Sequence, residues 1–160
     1  MCFYTVQRFP GLGAVMKINN SVAIVTGAGS GIGAAVSLEL AKRGARAVIL
    51  VDKRDHVFEL VDSINSQLGR QVAEAKVGDT INDTFRTQVY DDVISRHGVV
   101  SICVPAAGIT RDALAVKLNK ETGRVDQYSI TAFREVTEVN LIAPVYWAIE
   151  MVARIAEHRW

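Results

Sequence analysis

The sequence predicts an α/β protein built on a doubly wound parallel sheet, and three observations carry that prediction. From Val22 onward, short β-branched runs alternate with amphipathic helical stretches, the sequence form of successive βαβ units. Residues 47–51 are apolar without interruption, as a central parallel strand must be when helices cover both faces of its sheet. Between the first strand and the first helix stands a glycine-rich turn, Thr26-Gly27-Ala28-Gly29-Ser30-Gly31-Ile32-Gly33.

The elements follow in order. The first strand covers 22–26. After the turn, Ile32, Val36 and Leu40 recur at i, i+4 and i+8 and predict a helix with one buried stripe. That helix ends near Arg43, where Lys42 and Arg43 sit at its negative end before Gly44. The second strand, 47–51, ends at Asp52. Val57, Val61, Ile64 and Leu68 share one face of a second helix that stops at Gly69, and a third strand covers about 71–77. A helix over 83–97 turns Phe85, Val89 and Val93 inward and stops at Gly98; the fourth strand is 99–104. Beyond a loop containing glycine and charges, Ser129 is the expected N-cap of a long helix carrying Phe133, Val136, Leu141 and Val145, kinked by Pro144. The predicted strand order is 3-2-1-4, with the fourth strand an open apolar edge.

Composition bounds the function. With 160 residues, 49% hydrophobic and 22% charged, wholesale disorder, a collagen and a disulfide scaffold are excluded. Eighteen basic against 17 acidic side chains leave no net field to recruit nucleic acid or an acidic membrane surface. No apolar run is read as reaching the roughly 18 residues of a membrane span, so no membrane partner and a cytoplasmic location are expected. Cys2 and Cys103 are far apart in sequence, which fits a reducing compartment. His56, His97 and His158 are scattered, so no metal site is expected. No repeat or linker divides the chain. Residues 1–15, with Pro10, Gly11 and Gly13, read as a dispensable irregular arm, and 16–160 as one domain with Met16 as its functional start.

The glycine turn is where chemistry becomes legible. Placed between a strand and a helix, it lets backbone amides approach a phosphate at the positive helix end. Asp52 closes the next strand nineteen residues after Gly33, near the roughly 20 expected of a carboxylate that accepts from ribose hydroxyls. Such a carboxylate repels a 2′-phosphate, and position 30 is Ser, so NAD is expected over NADP, with Lys53 and Arg54 acting against that preference. Asp79, in Gly78-Asp79-Thr80, reads equally as an ordinary turn residue or as part of a site. Asn140 is a polar amide in an apolar helical stretch; on the residues alone, a paired or solvent-facing amide is favoured.

The spacing Gly27-x-x-x-Gly31-x-Gly33 after Thr26 resembles the short-chain dehydrogenase/reductase family, whose fold is Rossmann-like. Further matching features are Asp79 after the third strand, Ala106-Ala107-Gly108-Ile109 after the fourth and Val139-Asn140-Leu141 in the long helix. The resemblance implies an oxidoreductase passing hydride between a nicotinamide cofactor and a carbonyl or secondary alcohol. It implies that Gly27, Ser30, Gly31, Ile32 and Gly33 take the pyrophosphate and Asp52 the adenosine ribose. Asp79 and Thr80 then lie by the adenine, and Ala107 and Gly108 line the pocket. Asn140 is implied to be catalytic, holding a water in the proton relay. The long helix is implied to join a homo-oligomer interface. Gly108-Ile109-Thr110-Arg111-Asp112 is similar to the loop of 3-oxoacyl-carrier-protein and acetoacetyl-CoA reductases, which points to 3-oxoacyl thioesters. Lys117, Lys120 and Arg124 could face an acidic carrier, but a solvated loop is the stronger reading. The chain departs from the family at Pro105-Ala106, where amide side chains usually brace the fourth strand, and a less braced strand end is expected.

The family's chemistry also needs a Ser and a Tyr-x-x-x-Lys. The fourth residue after Tyr4, Tyr90, Tyr128 and Tyr146 is Arg8, Ile94, Ala132 and Glu150. The sheet is therefore expected to be incomplete at its C-terminal side and the 160-residue chain to lack reductase turnover. The alternatives are a non-catalytic dinucleotide-binding module and a fragment without function of its own.

Overall fold

The computed structural model describes residues 17–159; the predicted arm, the start at Met16 and Cys2 lie outside them. Four strands, β1 (Val22–Thr26), β2 (Ala47–Asp52), β3 (Ala73–Val77) and β4 (Ile102–Pro105), form one parallel sheet in the order 3-2-1-4. The predicted topology is thus the observed one. The first three crossovers are helical: α1 (Gly31–Lys42), α2 (Val57–Leu68) and α3 (Asp83–His97). Asn82 caps α3 by accepting the Phe85 N–H at 2.9 Å.

Alternation along β1 and β2 divides the core in two. Ala23, Val25, Val48 and Leu50 pack with Leu40, Ala41 and Ile64 on the α1 and α2 side. Val22, Ile24, Ile49 and Val51 meet Val89, Tyr90, Val93 and Trp147 on the other. Both faces of each central strand are therefore buried, which is why neither shows a polar residue before its last position.

Several expectations are corrected. In α1, Ile32 is 78% exposed, and the buried positions are Gly33, Ser37, Leu40 and Ala41. The first turn of this helix overhangs the strand ends, so an apolar residue there has no sheet beneath it. The stripe Gly33, Ser37, Ala41 brings the backbone close to the sheet instead, and the Ser37 hydroxyl is satisfied by donating to the Gly33 carbonyl at 2.8 Å.

The long helix has three parts: α4 (Ile130–Thr137), a π-helical segment (Glu138–Ile142) and α5 (Ala143–Arg159). Ser129 caps it as expected, accepting from the Ala132 N–H at 3.3 Å. Pro144 has no N–H for the Asn140 carbonyl, and the adjoining wide turn, in which the Ala143 N–H bonds the Glu138 carbonyl, accommodates that loss. The wide turn also shifts the helical phase. A period of 3.6 read through it selects Phe133, Leu141 and Val145, all exposed, whereas Ala143 and Trp147 face the core. Trp147 is completely buried; its indole N–H donates to the Thr80 carbonyl at 3.0 Å and its own carbonyl accepts the Tyr90 hydroxyl at 2.8 Å.

The fourth strand begins later than predicted and includes Pro105, opposite Thr26. A proline is tolerated there because the bond toward β1 is made by the next residue, whose N–H donates to the Thr26 carbonyl. The end of β4 is braced after all: the Ala106 N–H donates to the Thr26 carbonyl at 3.2 Å and the Ala107 N–H to the Thr26 hydroxyl at 3.3 Å. The predicted loop that follows contains an antiparallel hairpin, β5 (Val116–Leu118) and β6 (Val125–Gln127). Asn119 makes its turn, its side chain accepting the N–H groups of Glu121 and Thr122 at 2.9 and 3.1 Å.

Finally, the continuous helical run of 30 residues, Ile130–Arg159, is long and apolar enough to cross a membrane by length and composition, contrary to the sequence expectation. One side of it is committed to the sheet through Ala143 and Trp147.

Candidate functional site

The C-terminal ends of the four parallel strands open into a cleft of about 480 Å³. Crevices of this kind form in doubly wound sheets where the strand order reverses, here between β1 and β4. The structure brings most of the predicted residues together there. Gly27, Ser30, Ile32 and Gly33 come from the turn after β1, and Asp52 ends β2. Asp79 and Thr80 follow β3, and Ala107 and Gly108 follow β4.

Asp52 is buried, and its carboxylate ties two loops: Oδ2 accepts the Gly29 N–H at 2.9 Å, and Oδ1 the Arg54 N–H at 3.1 Å. The Arg54 Nε lies 3.6 Å from Oδ1. Asp79 has both of its alternative characters: it makes a turn by accepting the Ile81 N–H at 3.2 Å, and it lines the cleft.

Two glycines serve different ends. Gly27 has φ +63°, and a Cβ on it would stand 2.6 Å from the Ala107 Cα, so β4 can approach only a bare backbone. Gly31 has φ +57° and open space where a Cβ would go; it shapes the turn without lining the cleft itself. Ser30, at the N-cap of α1, makes no side-chain bond to the first-turn amides. The positive end of α1 is therefore free to receive an anion from the cleft. Glycine turn, uncapped helix start and a buried carboxylate on the next strand form a donor and acceptor set that fits a dinucleotide.

Asn140 stands behind the cleft wall. Its Oδ1 accepts the Ile109 N–H and its Nδ2 donates to the Ile109 carbonyl, both at 2.8 Å. The polar amide in an apolar helical stretch is thus an exposed side chain paired at both its oxygen and its nitrogen, and it fixes the backbone at Ile109, next to Gly108. Sequence reasoning missed as cleft residues Gly78, Ile81, Ala106, Ile109 and Val139, each within or next to a motif already recognised, and Glu135, which only the fold brings near; Lys53 and Arg54, expected to act on the cofactor preference, also line the cleft. Among the described residues, no group of three or more His, Cys, Asp or Glu side chains could hold a metal ion.

Fold and cleft define an α/β protein of the doubly wound, glycine-turn class. The short chain dehydrogenase family profile matches residues 21–159, and the chain belongs to that family. It is 32% identical over 106 residues to the 3-oxoacyl-[acyl-carrier-protein] reductase FabG of Thermotoga maritima, covering 66% of this chain and 42% of that one. It is 32% identical over 100 residues to the short-chain dehydrogenase/reductase homolog YusS of Bacillus subtilis, covering 60% of this chain and 87% of that one. A short-chain dehydrogenase structure from Novosphingobium aromaticivorans superposes with a TM-score of 0.74 at 22% identity, over 89% of this chain and 48% of its own. That likeness shows the fold. The chain spans less than half the length of the Thermotoga reductase and of the Novosphingobium dehydrogenase.

Proposed function

We propose that this chain carries the cofactor-binding part of an NAD-dependent oxidoreductase that exchanges hydride between the nicotinamide and a carbonyl or secondary alcohol. The observation that carries this reading is the buried Asp52 carboxylate at the end of β2, hydrogen-bonded at 2.9 Å to the glycine turn beside the uncapped start of α1. When bound, the dinucleotide supplies the hydride chemistry. Gly27, Ser30, Gly31, Ile32 and Gly33 hold its pyrophosphate against the helix start, and Asp52 accepts from the adenosine ribose hydroxyls. Asp79 and Thr80 border the adenine, and the Ala107–Gly108 backbone closes the opposite wall. The resemblance gives Asn140 a place in the proton relay; here its side chain acts through the Ile109 backbone it holds.

The preferred substrate class is a 3-oxoacyl thioester and its 3-hydroxy product, supported by the Gly108–Asp112 loop and by the name of the Thermotoga relative. A homo-oligomer is proposed on the exposed apolar side chains of α4 and α5, and a cytoplasmic location on the two cysteines far apart in sequence.

Calorimetric titration of the chain with NADH and NADPH tests the proposal. NADH binds more tightly by about tenfold, the effect of a like-charge cost of about 1.4 kcal/mol between Asp52 and a 2′-phosphate. Asp52→Ala removes the difference. Tighter NADPH binding that is indifferent to Asp52→Ala would overturn the assignment.

A further inference from the structure

We propose that the β5–β6 hairpin and the start of α4 form the pocket for the apolar tail of the substrate, sharing with the cofactor cleft a wall made by Arg111 and Glu135. The inference rests on the oxidoreductase reading and adds the part of the site that selects the substrate. A second cavity of about 410 Å³, within the roughly 300–1,000 Å³ of small-molecule pockets, lies under the hairpin. Leu114, Tyr128 and Ala132 belong to its largely apolar lining.

The two cavities are neighbours through named groups. Arg111 lines the hairpin pocket and Glu135 the cofactor cleft, and their side chains meet in a two-point pair, Nη2 to Oε1 at 2.9 Å and Nε to Oε2 at 3.2 Å. Ala132 and Glu135 stand one turn apart on α4, so one helix walls both spaces. The pocket is also built rather than incidental. The Tyr128 hydroxyl donates to the Arg111 carbonyl at 2.7 Å, and the Tyr128 N–H donates to the Ala115 carbonyl at 2.9 Å, which pins both ends of the hairpin to each other.

Charge identifies the occupant. Arg111 is paired with Glu135, and the lining's two cations, Arg111 and Lys117, are balanced by Asp112 and Asp126, so it carries no net positive charge to recruit an acidic group. Leu114, by contrast, is 69% exposed, an apolar surface left open toward water. An uncharged aliphatic chain attached to the reacting carbonyl fits these walls; an anionic carrier does not.

The test follows backbone amide signals of the isotope-labelled 160-residue chain by NMR while 2-decanone is added, with and without saturating NADH. Saturable shifts at Leu114, Tyr128 and Ala132 are expected. Leu114→Asp, at an exposed position that the fold tolerates, weakens 2-decanone binding by about tenfold or more and leaves NADH affinity unchanged within about twofold. Shifts confined to the exposed α5 residues Val145, Ile149 and Val152, equal affinity in Leu114→Asp, or no saturable shift overturns the pocket. NADH without effect on residues 27–33 overturns the oxidoreductase reading, and the claim to a substrate falls with it. An NADH response without a 2-decanone response overturns the pocket alone.

Discussion

Gly27 and Gly31 have nearly the same backbone conformation, φ +63° and +57°, yet alanine at the two sites has opposite consequences. At either site, the left-handed conformation costs a residue with a Cβ roughly 1–2 kcal/mol. At Gly31 nothing else is added, because no heavy atom lies within 4 Å of the new methyl. At Gly27 the methyl would stand 2.6, 2.7 and 2.9 Å from the Ala107 Cα, the Ala107 N and the Ala106 carbonyl carbon, all backbone atoms that must move together. Moving them loosens the Thr26 bonds that brace the end of β4, at about 1 kcal/mol each. Gly27→Ala therefore costs about 3–5 kcal/mol and Gly31→Ala about 1–2 kcal/mol, a difference that urea denaturation resolves. Calorimetry with NADH reverses the emphasis: Gly31→Ala keeps the fold but loses affinity by about tenfold or more, because strain in the left-handed turn shifts the first amides of α1 that a phosphate needs. Equal destabilisation by the two substitutions, or full NADH affinity in Gly31→Ala, would refute the division of the turn into a packing glycine and a ligand glycine.

Three further outcomes are expected. Trp147→Ala costs about 3–5 kcal/mol, since a fully buried indole is lost together with its bond to Thr80 and its edge contact with Phe85 at 6.4 Å between ring centres; chemical denaturation measures it. Asn140→Ala removes both bonds to Ile109, destabilises by about 1–2 kcal/mol and speeds hydrogen exchange of the Ile109 amide; unchanged exchange would show that the loop holds itself. Hydrogen bonds from Arg96 and then Lys76 hold the Asp92 carboxyl down from 3.8 to about 2. A depressed carboxyl stabilises the fold above its unfolded pKa, so this contribution is present above pH 3.8 and is lost as pH falls toward 2. Asp92→Asn therefore flattens the acid dependence of unfolding in that window, and an unaltered acid limb would remove Asp92 from the account.

The alternation of strands and helices, the extents of β1, α2 and α3, the glycine turn and the carboxylate that ends β2 are legible in the chain. Those features are local: an unbroken apolar run, a stop such as Gly69 and a fixed spacing are set by neighbours in the chain. Tertiary structure alone decided which apolar residues are buried. Ile32 fits the stripe of α1 but overhangs the strand ends, and Leu141 fits the stripe of the long helix but lies in the π-helical segment before Pro144 that shifts the phase. The hairpin is likewise set by cross-strand pairing and the Asn119 turn over too few residues for periodicity to register. The pairing of Asn140 with Ile109, and of Glu135 with Arg111, joins groups 31 and 24 residues apart. Such contacts exist only once the end of β4 and the long helix have been brought together. Burial and pairing depend on what lies across the gap, and a sequence period reports only the side of a helix or strand on which a residue stands.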